Sequence, residues 1–146
     1  MFERCACFGQ NEIKNENALE SSLSVMFEYL IMEQKTKIFY LGGVGKFDNL
    51  CFKVLFKLKE RFNHIKVVLV KPAIKDFEKQ IDFKFDDIIE FKEKSEYEKM
   101  PLFSRDLKMA KNADFLVFYV EDNSRNKAKK ILDFAKGWKK NFVNMI

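Results

Sequence analysis

Short apolar runs alternate along the chain with longer stretches in which apolar residues recur every three or four positions, a pattern that predicts βαβ units wound around a parallel sheet. The first run, Phe2 to Phe8, reads as a strand ending at Gly9. From about Asn17 to Glu33, Leu19, Leu23, Met26 and Leu30 fall on one helical stripe. A second strand, Lys37 to Leu41, runs directly into Gly42-Gly43-Val44-Gly45, after which Phe47 to Phe62 shows helical spacing through Leu50, Val54, Leu55 and Leu58. Lys66 to Val70 reads as a buried central strand stopped by Pro72.

Residues 73–94 are charged and rich in phenylalanine without a steady period, and only Asp87 to Phe91 reads as a short strand there. A helix from Pro101 to about Lys111 leads to a strand from Phe115 to Val120. Asp122-Asn123-Ser124 then offers an N-cap for a helix reaching Lys136 and closed by Gly137, and Phe142 to Ile146 reads as a last strand. The expected fold is α/β: a Rossmann-like three-layer sandwich, a mostly parallel sheet of about five to six strands, in one domain over residues 1–146.

Composition narrows the classes. Of 146 residues, 47% are hydrophobic and 34% charged, with five glycines and two prolines, which is the make-up of a packed globule. The net charge of +5 comes from 27 basic and 22 acidic residues interleaved along most of the chain, which argues for a solvated surface and against a nucleic-acid partner. The densest basic stretch, Arg125 to Lys140, reads as the outer face of a helix. Three cysteines, Cys5, Cys7 and Cys51, make no disulfide framework, and with His64 the only histidine no zinc site is expected. The adjacent Asp86 and Asp87 read as a strand entrance in solvent rather than a metal site, so neither a metal nor a cofactor is expected. The N-terminal residues lack a secretion signal and no apolar run approaches the roughly 20 residues that span a bilayer, so a cytoplasmic protein with no membrane partner is expected.

In an open parallel sheet, ligands bind outside the carboxyl ends of the strands. Three turns point there: Phe8-Gly9-Gln10-Asn11, Gly42-Gly43-Val44-Gly45-Lys46-Phe47-Asp48, and Glu121-Asp122-Asn123-Ser124. The glycine turn has the strongest chemistry. Without Cβ atoms its N–H groups can converge on a phosphate at the positive end of the following helix, and Lys46 adds a mobile charge. The GxxxxGK[ST] spacing and the strict GxGxxG fingerprint are both missing, and a tight strand-to-helix turn needs glycine for its own conformation. Asp48 suits a ribose hydroxyl or general-base role, although an acid in a helix's first turn is favoured by the dipole alone. Arg105 suits a bidentate phosphate clamp. Cys7 lies near the expected crevice, yet without a nearby histidine it reads as an inert buried thiol.

At these residues the chain resembles the SLOG superfamily, the Rossmann-like group that includes the LOG phosphoribohydrolases and lysine decarboxylase-like proteins. The likeness spans nearly the whole chain and is closest to a branch of small bacterial proteins. Their Phe-Tyr-x-Gly-Gly-x-Gly-x-Phe-Asp pattern stands here complete from Phe39 to Asp48, and Ser104-Arg105-Asp106-Leu107-Lys108-Met109 is similar to their Arg-Asn-x-x-Met helix. The resemblance implies a nucleotide or nucleotide-derivative ligand, with Gly9, Gln10, Gly42, Gly43, Gly45, Lys46, Phe47, Asp48, Arg105, Asn123 and Ser124 as its contacts. It leaves pairing into a homodimer open. Two departures bear on activity: a His-Arg pair of the first turn is Gln10-Asn11 here, and Glu121 to Lys129 carries neither the second glycine motif nor the catalytic glutamate of the active phosphoribohydrolases. The expectation is therefore a sensor or binding module with a partly degenerate site. The rival is an N-glycosidase acting on nucleoside monophosphates, with Asp48, Glu121 or Asp122 in acid–base roles.

Overall fold

A computed structural model describes residues Met1–Ile146. The chain forms β1 (Arg4–Gly9), α1 (Glu16–Glu33), β2 (Ile38–Leu41), α2 (Lys46–Leu58), β3 (Lys66–Val70), β4 (Asp87–Ile89), α3 (Pro101–Asn112), β5 (Phe115–Tyr119), α4 (Lys127–Gly137) and β6 (Asn141–Asn144). The six strands make one sheet in the order β4-β3-β2-β1-β5-β6, parallel throughout. The molecule is thus a Rossmann-like α/β sandwich. No helix is long and apolar enough to cross a membrane.

Alternation along the strands sends successive side chains to opposite faces, and the two faces build two separate cores. Cys5 and Cys7 of β1 join Leu19, Leu23 and Phe27 of α1 and Leu50, Val54 and Leu55 of α2 on one face. Ala6 and Phe8 of the same strand join Leu107 and Ala110 of α3 and Ile131 and Leu132 of α4 on the other. The chain therefore winds outward from β1 through β2 and β3 to β4 and then returns to β5 beside β1. The direction of winding reverses between β1 and β5, and a crevice opens there at the carboxyl ends of the strands.

Local chemistry explains most element boundaries. Asn15 caps α1, its side-chain oxygen accepting the Ala18 amide at 3.0 Å. The segment after β3 lacks a period because its phenylalanines act singly: Phe83 and Phe85 pack on Phe52 of α2 at ring distances of 4.6 and 4.9 Å. Helix α4 departs from expectation. It begins at Lys127, and its N-cap is Asn126, which accepts the Lys129 amide at 2.9 Å, so Asp122, Asn123 and Ser124 lie in the loop before it. Gly137 is the last helical residue; the left-handed position follows two residues later at Lys139, with φ 58°.

One close approach fixes how α2 meets the sheet. A Cβ on Gly9, the last residue of β1, would lie 2.2 Å from the buried Phe47 ring, which stacks against Tyr119 at 5.9 Å. Only glycine lets the start of α2 sit so low over β1. Gly9→Ala is expected to lower unfolding free energy by about 1–3 kcal/mol in urea titrations, whereas Gly137→Ala, with open space at its Cβ position, should leave it unchanged or raised.

Candidate functional site

The turn between β2 and α2 needs glycine twice. Gly43 sits at φ 77° and Gly45 at φ 100°, the latter with ψ 165°, a region that side chains with a Cβ essentially do not enter. The amide of Gly42 donates to Asp48 Oδ2 at 3.0 Å, and that of Lys46 to Asn11 Oδ1 at 3.4 Å. The amides of Gly43, Val44, Gly45, Phe47 and Asp48 donate to nothing within the chain. The oxygen of Asn11 lies over the turn, 2.5 Å from where a Cβ on Gly45 would stand. Two side-chain oxygens, one from Asp48 and one from Asn11, thus already lie against amides of this turn.

A cavity of about 170 Å³ opens beside this turn, at the crevice between β1 and β5. Cys7, Gly9, Gln10 and Asn11 line it from β1 and its loop, Val44 and Asp48 from the turn and α2, Arg105 and Asp106 from α3, and Asn126 and Lys127 from the start of α4. The positive ends of two helices, α2 and α4, therefore face one cavity.

Arg105 is buried beneath it. Its Nη1 donates to the carbonyls of Gly42 at 3.0 Å and Val70 at 2.8 Å, tying the ends of β2 and β3 together, and its Nε donates to Asp106 at 2.6 Å. The second oxygen of Asp106 meets Lys127 Nζ at 3.0 Å. Arg105 is thus a brace within the protein, with its guanidinium edge on the cavity wall. Asp48 is half-buried, and loss of water around it pushes its carboxyl up to about 7, outweighing the nearby Arg105 charge and the Gly42 amide; Asp106 and Cys7 add to the rise. Cys5, Cys7 and Cys51 are free, buried thiols on this side of the sheet, and burial pushes Cys5 and Cys51 well above the usual thiol range.

The structure gathers Gly9, Gln10, Asp48 and Arg105 on the cavity wall, with Gly42, Gly43 and Gly45 in the adjoining turn. Gln10 works as a staple: its Nε2 donates to the Glu12 carbonyl and its Oε1 accepts the Glu121 amide, each at 3.0 Å. Phe47 is packed beneath Gly9, and Lys46 is exposed at the helix start. Asn123 and Ser124 do not line the cavity; Ser124 Oγ accepts the Asn126 amide at 3.3 Å. Glu121 turns to Lys14 at 3.3 Å, and Asp122 is exposed. Asn126 and Lys127 line the cavity from that side. Asp106 escaped the sequence reading, although a signal existed: at helical spacing it shares the apolar face of Phe103, Leu107 and Ala110, where a carboxylate requires a partner.

Compared with known proteins, the chain matches no family model and no curated protein sequence.

Two outcomes follow from this geometry. Arg105→Met leaves the buried Asp106 with Lys127 alone and strips the Gly42 and Val70 carbonyls of their donor, so a loss of about 3–5 kcal/mol in denaturant unfolding is expected. For Asp48 the folded state holds its proton more tightly than the unfolded chain does. Stability should therefore fall as pH rises from about 4 to about 7, by up to about 1.4 kcal/mol per pH unit. Asp48→Asn keeps an oxygen for the Gly42 amide and should flatten that slope in urea midpoints measured across the same range.

Proposed function

We propose that the protein binds a phosphate-bearing, nucleotide-like ligand at the cavity between β1 and β5, as a binding or sensing module. The observation that carries this reading is the set of amides of Gly43, Val44, Gly45, Phe47 and Asp48, which make no hydrogen bond within the chain and lie at the positive end of α2. A phosphate oxygen displaces the Asn11 carbonyl from the turn and accepts from the N–H groups left unpaired there. The rest of the ligand enters the cavity, where Lys127 adds charge and Asn126 and Gln10 offer polar contacts. Arg105 supports the cradle from below by holding the Gly42 carbonyl, and with it the turn. The likeness of Phe39 to Asp48 to the SLOG turn supports the same ligand class.

A hydrolytic reading stands beside it on one observation. Asp48 lines the cavity and is poised to carry a proton near neutral pH, as a general acid for departure of a base from a nucleoside monophosphate would be. Glu121, held by Lys14, does not share that position.

Isothermal titration with AMP, ADP-ribose, NAD and inorganic phosphate separates these readings from none at all. Binding is expected for the phosphate-bearing organic ligands, with inorganic phosphate competing. Gly45→Ala, which forces a side chain into a φ of 100° against Asn11, should weaken binding at least about tenfold. Asn11→Ala, which frees the Lys46 amide, should tighten it. No heat from any ligand at millimolar concentration contradicts the proposal. Free base released from AMP by the parent protein, and lost by about a hundredfold or more in Asp48→Asn, would move the assignment to the enzyme.

A further inference from the structure

The two outer faces of the sandwich each carry an apolar feature that nothing in the chain covers. On α1, Val25, Tyr29 and Met32, spaced by four and three residues, form an outward stripe that is 71%, 47% and 50% exposed. The same helix holds four glutamates, Glu16, Glu20, Glu28 and Glu33, and no basic residue. Across the sheet, the α3–α4 face holds a groove of about 710 Å³, lined by Tyr97, Met100, Phe103, Phe134, Trp138 and Lys130. A smaller hollow of about 350 Å³ shares Met100, Phe103 and Lys130 with it. Its charge is basic. Lys127 and Lys130 line the two hollows, Lys111 lies over the Trp138 ring at 5.4 Å, and the one acid there, Asp133, is engaged by Lys129 at 2.6 Å.

A helix-lined groove with an aromatic floor and a lysine rim takes an amphipathic helix with apolar anchors at i, i+4 and i+7 and acidic flanks. The chain presents such a helix on its opposite face. We propose that α1 of one copy docks in the α3–α4 groove of a second copy, joining molecules head to tail. Glu20 and Glu28 already pair with Lys53 of α2 and Arg61 in the turn after it, so Glu16 and Glu33 at the helix ends supply the free charge for the lysine rim. Pairing of α1 with α1 would instead set acid against acid. Single-stranded nucleic acid fits the groove less well, because Tyr97 packs edge-on at 4.9 Å against Phe103 and 6.3 Å from Phe134, leaving few ring faces for bases to stack on. The contact is heterologous: every added copy leaves one free stripe and one free groove, so assembly continues into an open chain or a closed ring. This inference does not depend on the anion site.

Sedimentation velocity of the full chain from micromolar to millimolar concentration, read together with the emission of Trp138, the single tryptophan, tests it. Mass is expected to rise past the dimer, with Trp138 emission shifting in parallel and both effects weakening in high salt. Two surface variants keep the fold, checked by thermal melting: Val25→Asp with Met32→Asp spoils the stripe, and Met100→Asp with Lys130→Glu spoils the groove. Each alone should self-associate at least tenfold more weakly. Mixed in equal amounts they should form a heterodimer that grows no further, since one retains its groove and the other its stripe. A parent chain that stays monomeric overturns the proposal, as does one that stops at a dimer which mixing the variants does not restore. Trp138 emission that answers a single-stranded oligonucleotide or an acidic peptide but not protein concentration overturns it too.

Discussion

Burial of the Arg105 guanidinium is the constraint around which the carboxyl end of the sheet is arranged. A cation out of water must be met by oxygen, and here the oxygens are the carbonyl just after β2, the last carbonyl of β3 and the carboxylate of Asp106. The first of these belongs to Gly42, where the glycine turn begins. A Cβ at Gly42 would lie 2.8 Å from the guanidinium, so the glycine and the arginine require each other.

From that brace the geometry of the cavity follows. Asp106, paired to Arg105 through one oxygen, meets Lys127 through the other and so ties the start of α4 to α3 beside the cavity. Both helices point their positive ends at one crevice, and Gly9 lets α2 settle onto β1 through Phe47. Asp48 completes the arrangement by accepting the Gly42 amide from the other side, and loss of water around its carboxyl lets it keep its proton to about pH 7. The charges around the cavity are thus mutually restrained, while the amides after Gly42 keep their donors.

Much of this architecture is legible in the sequence because a parallel sheet imposes a simple pattern. Buried strands read as short apolar runs, and their covering helices carry stripes at helical spacing, so every strand was placed within two residues at each end. Even the short β4 falls within the expected Asp87 to Phe91. What failed was what depends on tertiary contacts. Helix α4 is capped at Asn126 instead of among Asp122, Asn123 and Ser124 because several good capping residues lie side by side and packing chooses among them. For the site, the glycine turn was legible from residue type alone. The role of Arg105 as a brace was not, since a buried and an exposed arginine look alike until the carbonyls opposite it are known. Asn11 over Gly45 is a contact between residues 34 positions apart in the chain, and no local pattern announces it.

The claim at the centre is that the amides following Gly42 grip a phosphate. Backbone amide NMR during titration with AMP tests it most directly. The Gly43, Val44, Gly45, Phe47 and Asp48 amide resonances are expected to move downfield together and saturate, with the Asn11 side-chain resonances shifting as that group leaves the turn. Resonances of the turn that stay fixed while AMP binds elsewhere, or that stay fixed because AMP does not bind, would contradict it.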